Sequence, residues 1–399
     1  MDKKIVVISE YFYPNERTDA FLLTEITKKL SEVNDGNIEV ICTSELNSSE
    51  ELEFLKGRIV RLRNSKLNEN NILLRIIKFL ILTFKLSLKA FFTIKKNDRV
   101  FLTTNPAFLI PVISMFRTFK SFEYTLLVYD VFPENISAAK IISKNSLFYK
   151  IIKKIYDWSY SKADRLIVIG RDMQEVILEK INHTKPIYLI ENWCNYESVK
   201  PESKFENSIL RKLKIEKKKV FLFAGTLGRV QGINRLLEAS RLVKDKDFVL
   251  LFIGDGAYKN EIVKFISNSE NKNVYYAGSF PISQQNEFLN ACDVSIISLA
   301  KDMYGLGVPS KSYYNMSAQK PLLYIGDKKS EISLVVNEHN LGWTIEPDDE
   351  KKLALLIDEI CKNNDKYLSM GKKSRKIVEQ YFSKDVILNK YAQLYKGDK

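Results

Sequence analysis

At 399 residues, 45% of them hydrophobic, the chain is too long for one ordinary core and too apolar to remain unfolded, which predicts a globular protein of two domains. Its 62 lysines and arginines against 49 acids leave a formal charge of +13, so an anionic partner is expected: a phosphorylated substrate, an acidic membrane or a nucleic acid. The four cysteines, Cys42, Cys194, Cys292 and Cys361, lack Cys-x-x-Cys spacing, which argues against a zinc site or a disulfide framework and makes a reducing cytoplasm the expected home.

From the N-terminus, Ile5–Ser9 reads as a buried strand, too short for the apolar region of a signal peptide. Further apolar runs follow at Glu39–Thr43, Arg99–Thr103, Thr125–Tyr129, Leu166–Ile169 and Ile187–Ile190, each leading through a loop into helical periodicity. That alternation predicts βαβ units and a parallel sheet covered on both faces. Within this series, residues 71–94 place Arg75, Lys78, Lys85 and Lys89 on one narrow helical stripe in an otherwise apolar segment. Charges recurring through the would-be hydrocarbon depth exclude a spanning helix. Two readings stay open: a helix lying on a bilayer with its cations on anionic lipid, or a core helix with one wet face. The basic and aromatic stretches Phe108–Lys120 and Phe148–Tyr160 favour the first.

Asp130 closes the strand 125–129 and opens a Pro-Glu-Asn loop. Asp130 or Glu134 there would accept a proton or stabilise positive charge, or would cap the next helix. The polar stretch 195–219 breaks the rhythm and reads as a linker with one helix. Strand-like runs then resume at Val220–Ala224, Phe248–Ile253, Val274–Tyr276, Val294–Ile297, Leu322–Ile325 and Gly342–Ile345. The expected architecture is therefore α/β, two doubly wound Rossmann-like domains facing a central cleft, with ligands at the carboxyl ends of the strands.

The loops after those strands carry the anion-binding candidates. Gly225, Gly228 and Gly232 would let backbone approach a ligand, with Arg229 pairing phosphate oxygens, and Gly254-Asp255-Gly256 forms a second tight turn. Gly307 leads into Pro309-Ser310-Lys311, a helix start whose amides, dipole and lysine would converge on a phosphate, Pro309 in the first turn and Ser310 as cap. An ordinary capped helix explains the same residues. The two histidines, His183 and His339, fall in polar turns, so no catalytic histidine is expected.

Taken together, Glu10-Tyr-Phe-Tyr-Pro14, Thr103–Pro106, Asp130–Asn135, Ala163–Ile169, Glu191-Asn-Trp193, the 225–232 loop, Ile253–Gly256 and 309–321 resemble a GT-B-fold glycosyltransferase of retaining family 4. The resemblance is greatest to the bacterial subgroup that builds lipid-linked O-antigen, capsule or exopolysaccharide repeats, including N-acetyl-L-fucosamine transferase-like enzymes. It implies an acceptor-binding domain over 1–197, a nucleotide-sugar-binding domain over 198–381, and a terminal helix, 382–399, returning to the first. It further implies a UDP- or GDP-sugar donor, no metal or other cofactor, a polyprenyl-diphosphate-linked acceptor, no nucleic acid, and peripheral attachment at the inner face of the plasma membrane.

By the same resemblance the donor and its phosphates would meet Gly225, Thr226, Gly228, Arg229, Gln231, Gly254, Asp255, Gly256, Gly307, Pro309, Ser310 and Lys311. The acceptor side would include Tyr13, Thr18 and Asn105, with Asp130 and Glu134 catalytic. Leu306 and Tyr314 stand where many relatives carry a pair of glutamates, and Thr226 and Gln231 where a phosphate-binding Arg and Lys are frequent. The positive charge then falls to Arg229 and Lys311. A nucleotide-sugar epimerase of the same fold and a non-catalytic scaffold of a polysaccharide assembly remain the alternatives.

Overall fold

The structure, a computed structural model, describes residues 3–15, 17–44, 52, 55, 58–63, 72–268 and 272–396. The chain divides into two compact units, residues 1–191 with 388–399, and residues 192–387. The change of unit therefore comes at 191/192, ahead of the expected 197/198, and again at 387/388 in place of 381/382.

Unit 1 is built on β1 (Ile5–Ile8), β2 (Ile38–Ser44), β3 (Ile59–Arg63), β4 (Arg99–Thr103), β5 (Glu123–Val128), β6 (Arg165–Val168) and β7 (Ile187–Leu189). They form one parallel sheet in the order β3-β2-β1-β4-β5-β6-β7. Ile5, Val6, Val7 and Ile8 are wholly buried, as a central strand covered on both faces requires. β3 was not among the expected strands. Its Ile-Val-Arg-Leu-Arg pairs on one side only, so it lacks the uninterrupted apolar run by which its neighbours are recognised.

Three helices, Ile72–Thr93, Leu109–Phe119 and Leu147–Lys162, lie side by side in unit 1. Phe79 meets Phe108 with ring centroids 5.3 Å apart and Phe91 meets Phe116 at 5.2 Å, while the Ser114 hydroxyl donates to the Ser159 carbonyl at 3.0 Å. The first helix turns Leu82, Leu86 and Ala90 into the core, and its opposite face carries Leu80, Phe84, Leu88 and Phe92 into solvent. The outward face is apolar, and the lysines lie along its flank, Lys78 and Lys89 half-buried and the Lys85 ammonium donating to the Arg63 carbonyl at 3.1 Å. The Arg75 side chain lies outside the described residues. No described helix is long and apolar enough to cross a membrane.

The helix Lys384–Lys396 supplies residues 388–396 to unit 1. There the Tyr395 hydroxyl meets the Thr125 hydroxyl at 3.1 Å, and Lys390 pairs with Glu191 at 2.5 Å. The Tyr395 ring lies 5.7 Å from the guanidinium of both Arg99 and Arg165.

Unit 2 carries β8 (Lys219–Ala224), β9 (Phe248–Ile253), β10 (Val274–Tyr276), β11 (Val294–Ser298), β12 (Leu322–Ile325) and β13 (Gly342–Ile345), parallel in the order β10-β9-β8-β11-β12-β13. The polar stretch 195–219 is no free tether. Asn207 caps the helix Ser208–Leu213 by accepting from the Leu210 N–H, its amide donates to the Glu287 carbonyl at 2.8 Å, and Lys204 pairs with Asp293 at 2.5 Å. Its hydrophilic residues serve as anchors, which composition alone does not distinguish from solvation. All four cysteines are buried and free.

In each sheet the strand order reverses once, between β1 and β4 and between β8 and β11. Connections leave in opposite directions at such a point, so a crevice opens at the carboxyl ends of those strands.

Candidate functional site

In unit 2 the crevice is framed by loops knitted backbone to backbone. Gly225 N–H donates to the Ile253 carbonyl, Leu227 N–H to Asp255, Tyr258 N–H to Leu227 and Gly254 N–H to Gly278, all at 2.8–2.9 Å. Gly254 and Gly256 have φ of +137° and +152°, and a Cβ on either would lie 1.9 Å from the Gly225 carbonyl oxygen or 2.4 Å from that of Leu227. These two glycines are therefore required for loop to approach loop. Gly225 is required by its backbone conformation, φ +131°, and a Cβ there would only touch the Lys311 side chain at 3.4 Å.

Lys311 opens the helix Lys311–Ser317, which buried Asn315 ties down by donating to the Lys311 carbonyl and accepting from Ser295, each at 3.0 Å. The ammonium rests 3.5 Å from the centroid of the Phe223 ring, and no carboxylate among the described residues pairs with it. Burial lowers its pKa to about 7. A cation held against an aromatic face without a counter-ion is destabilised by lost hydration until an anion arrives. Ser310 occupies the cap position without its side chain capping, contrary to expectation, and the helix starts instead with Ser312 N–H bonding the Pro309 carbonyl at 3.0 Å. The N–H groups of Gly307, Val308, Ser310 and Lys311 find no acceptor among the described residues.

The other donor-side candidates take various roles. Arg229, on a turn between Gly228 and Gly232, is exposed beside exposed Thr226. Gln231 folds back so that its Oε1 lies 2.5 Å from where a Cβ on Gly228 would be. The Asp255 carboxylate is held by the Gly256 N–H and Lys259, bonds that lower its pKa. Leu306 is a core residue and supplies no polar group in place of the missing glutamate.

In unit 1 the crevice gathers Tyr11, Arg17 and Asp19 after β1, Asn105 after β4 and Asp130 after β5. Asp19 is the hub: it accepts from Arg17 Nε at 3.1 Å, Asn105 Nδ2 at 3.0 Å and the Ala20 N–H at 3.1 Å. The Arg17 guanidinium lies 4.3 Å from the Tyr11 ring centroid. Thr104 Oγ1 accepts from the N–H groups of both Tyr129 and Asp130 at 3.2 Å, fixing the strand exit. Burial, then the like charge of Asp19, push the Asp130 pKa up to about 6, with Arg17 opposing them. Its carboxylate has no hydrogen-bond partner among the described residues. Tyr13 and Thr18 sit exposed at this rim, Tyr13 through its N–H to Thr24 Oγ1 at 3.2 Å and its carbonyl to Arg61 at 2.6 Å. Sequence reasoning missed Asp19 and Arg17. The signal was the Arg-Thr-Asp at the start of the helix Thr18–Val33, of which only the threonine was taken.

Glu134 is committed elsewhere. Its carboxylate accepts from Lys180 at 2.7 and 2.9 Å and pairs with Lys153 at 3.2 Å, while Asp157 pairs with the same two lysines at 2.6 and 2.7 Å. Burial draws the Lys180 pKa below the usual lysine value against the pull of both carboxylates. This four-residue network anchors the loop that follows Asp130. Lys180→Met should lower stability by about 3 kcal/mol, read from urea unfolding, because it leaves two carboxylates sharing Lys153. An unchanged midpoint would refute that anchoring role. His183 is an exposed turn residue at φ +53°, and His339 ends the helix Glu331–His339 stacked on Tyr381.

Two parallel-sheet units, with Lys311 at the carboxyl crevice of the second unpaired by any carboxylate among the described residues, fit the architecture of GT-B glycosyltransferases. Residues 205–377 match the family model "Glycosyl transferases group 1". Over 391 residues the chain is 34% identical to the probable glycosyltransferase WbjE of Pseudomonas aeruginosa, covering 98% of this chain and 96% of that protein. The chain belongs to the group 1 glycosyltransferases and is an enzyme of that class. Among solved structures, Anabaena HepE in complex with UDP superimposes with a TM-score of 0.74 at 15% identity, covering 99% of this chain and 100% of that one. WaaG, a glycosyltransferase involved in lipopolysaccharide biosynthesis, does so with a TM-score of 0.67 at 11% identity, covering 98% and 99%.

Proposed function

We propose that the enzyme transfers a sugar from a UDP- or GDP-sugar to a lipid-linked saccharide of a surface polysaccharide, with retention of configuration and without a metal. The observation that carries this reading is Lys311, a cation in the unit 2 crevice with an aromatic wall and no acid paired with it among the described residues. A leaving diphosphate would supply the missing counter-charge, with the free amides of 307–311 and Arg229 sharing the load. The UDP complexes of HepE support a nucleotide donor. In unit 1, Asp130 would take the proton of the acceptor hydroxyl, and Glu134 would keep its loop in place. Retention, metal independence and a polyprenyl-diphosphate carrier at the inner face of the plasma membrane rest on the resemblance to lipid-linked polysaccharide enzymes.

The test is release of nucleoside diphosphate from a panel of UDP- and GDP-sugars, with and without a bacterial polyprenyl-lipid extract, with lipid products weighed by mass spectrometry. Lipid-dependent release with one sugar mass added is expected. Lipid-independent conversion of a donor would replace this reading with the epimerase, and absence of donor binding would replace it with the scaffold.

A further inference from the structure

The helices Ile72–Thr93, Leu109–Phe119 and Leu147–Lys162 share a layer in unit 1 whose outer surface is apolar where a solvated layer would be polar. Exposed on it are Leu80, Phe84, Leu88 and Phe92 from the first helix, Met115 and Phe119 from the second, and Leu147, Phe148, Ile151, Ile155 and Trp158 from the third. The most open of these, Phe119, Phe92, Leu147 and Phe84, are 80%, 74%, 73% and 66% exposed. Isolated apolar side chains on a surface need no explanation, but a contiguous layer of them does.

Charge identifies what covers it. These helices carry nine basic residues and one acid, Asp157, which Lys180 and Lys153 hold inward. A net +8 of the chain's +13 thus belongs to three helices. A second copy of this face would meet it with like charge, and a nucleic acid, which could stack on the rings, would leave the aliphatic Leu80, Leu88, Leu147, Ile151 and Ile155 uncovered.

We infer that this three-helix face docks on an anionic bilayer, its phenylalanines and Trp158 entering the headgroup boundary and its lysines meeting lipid phosphates. The inference deepens the proposed use of a lipid-linked acceptor, from which it is separately testable.

The experiment is flotation of the whole protein with vesicles of phosphatidylglycerol and phosphatidylethanolamine, and with phosphatidylcholine alone. Binding to the anionic vesicles is expected, with a blue shift of tryptophan emission. Trp193 is buried and Trp343 belongs to unit 2, so Trp158→Phe should remove the shift while most binding remains. Phe84→Ser with Phe92→Ser should weaken vesicle partition at least tenfold, since each ring is open in the free protein and its loss costs folding little. Lys150→Gln with Lys154→Gln should weaken binding to anionic vesicles only. UDP-sugar affinity, measured on the same variants, should not change. The inference is overturned by equal indifference to both vesicle types, by a Phe84/Phe92 variant that floats like the parent, or by light scattering showing a dimer that the phenylalanine variant dissociates.

Discussion

Lys311→Met lowers kcat/KM for the nucleotide-sugar donor by about 10²–10³-fold while the protein stays folded, the loss expected when one preorganised donor to a developing anion is removed. Methionine keeps the length and the contact with Phe223 but carries no charge. The free protein holds that charge at a cost, as the pKa of about 7 records, so its removal leaves thermal stability unchanged or raised. Full turnover by the variant, or its failure to fold, would remove Lys311 from the donor site. The same residue makes donor affinity pH-dependent, with a defined sign. A diphosphate beside the ammonium raises its pKa above 7, so the complex keeps a proton that the free enzyme releases as pH rises. Affinity for a UDP-sugar, whose own phosphates do not titrate there, is then full below pH 7 and falls up to about tenfold per unit above it, until the pKa of the complex is reached. Calorimetry in buffers of different ionisation enthalpy would detect the proton taken up, and a flat profile in the parent would contradict the assignment.

Asp130→Asn is expected to reduce kcat by about 10²–10⁴-fold with a small change in KM for the donor, the range for loss of a positioned base. In the parent, activity falls as pH drops through about 6, because a carboxyl whose pKa is raised to that value is protonated below it. Asp19→Asn takes away the like charge and moves that acid limb to lower pH; burial, the larger cause, stays, so the limb remains above the ordinary aspartate range. A profile indifferent to Asp19, or a kcat unmoved by Asp130→Asn, would leave the loop as scaffolding.

The strands of both units were legible because a strand buried on both faces leaves an unbroken apolar run, as in Ile5–Ile8 and Phe248–Ile253. β3 was not, for an edge strand half in solvent reads like a polar loop. In the candidate site, single residues were legible where chemistry is tied to type, as with Lys311 and Asp130. Partnership was not legible: Glu134 is spent on Lys180, which lies 46 positions away, and Asp19 meets Asn105 across 86. The glycines of 254–256 mark close approach in any sequence, yet only the structure says that what approaches is the neighbouring loop. For the helix 72–93, periodicity separated charged from apolar positions but not the apolar side facing the core from the apolar side facing out.

The way residues 388–396 fill the first unit bears on how the protein is made. A ribosome delivers residues 1–191 long before that last stretch, with all of unit 2 in between. During this interval Thr125, Arg99 and Arg165 await Tyr395, so the unit that emerges first is the one finished last. A nascent chain in that condition leaves apolar surface uncovered for as long as unit 2 takes to be synthesised, the circumstance in which chaperones are needed.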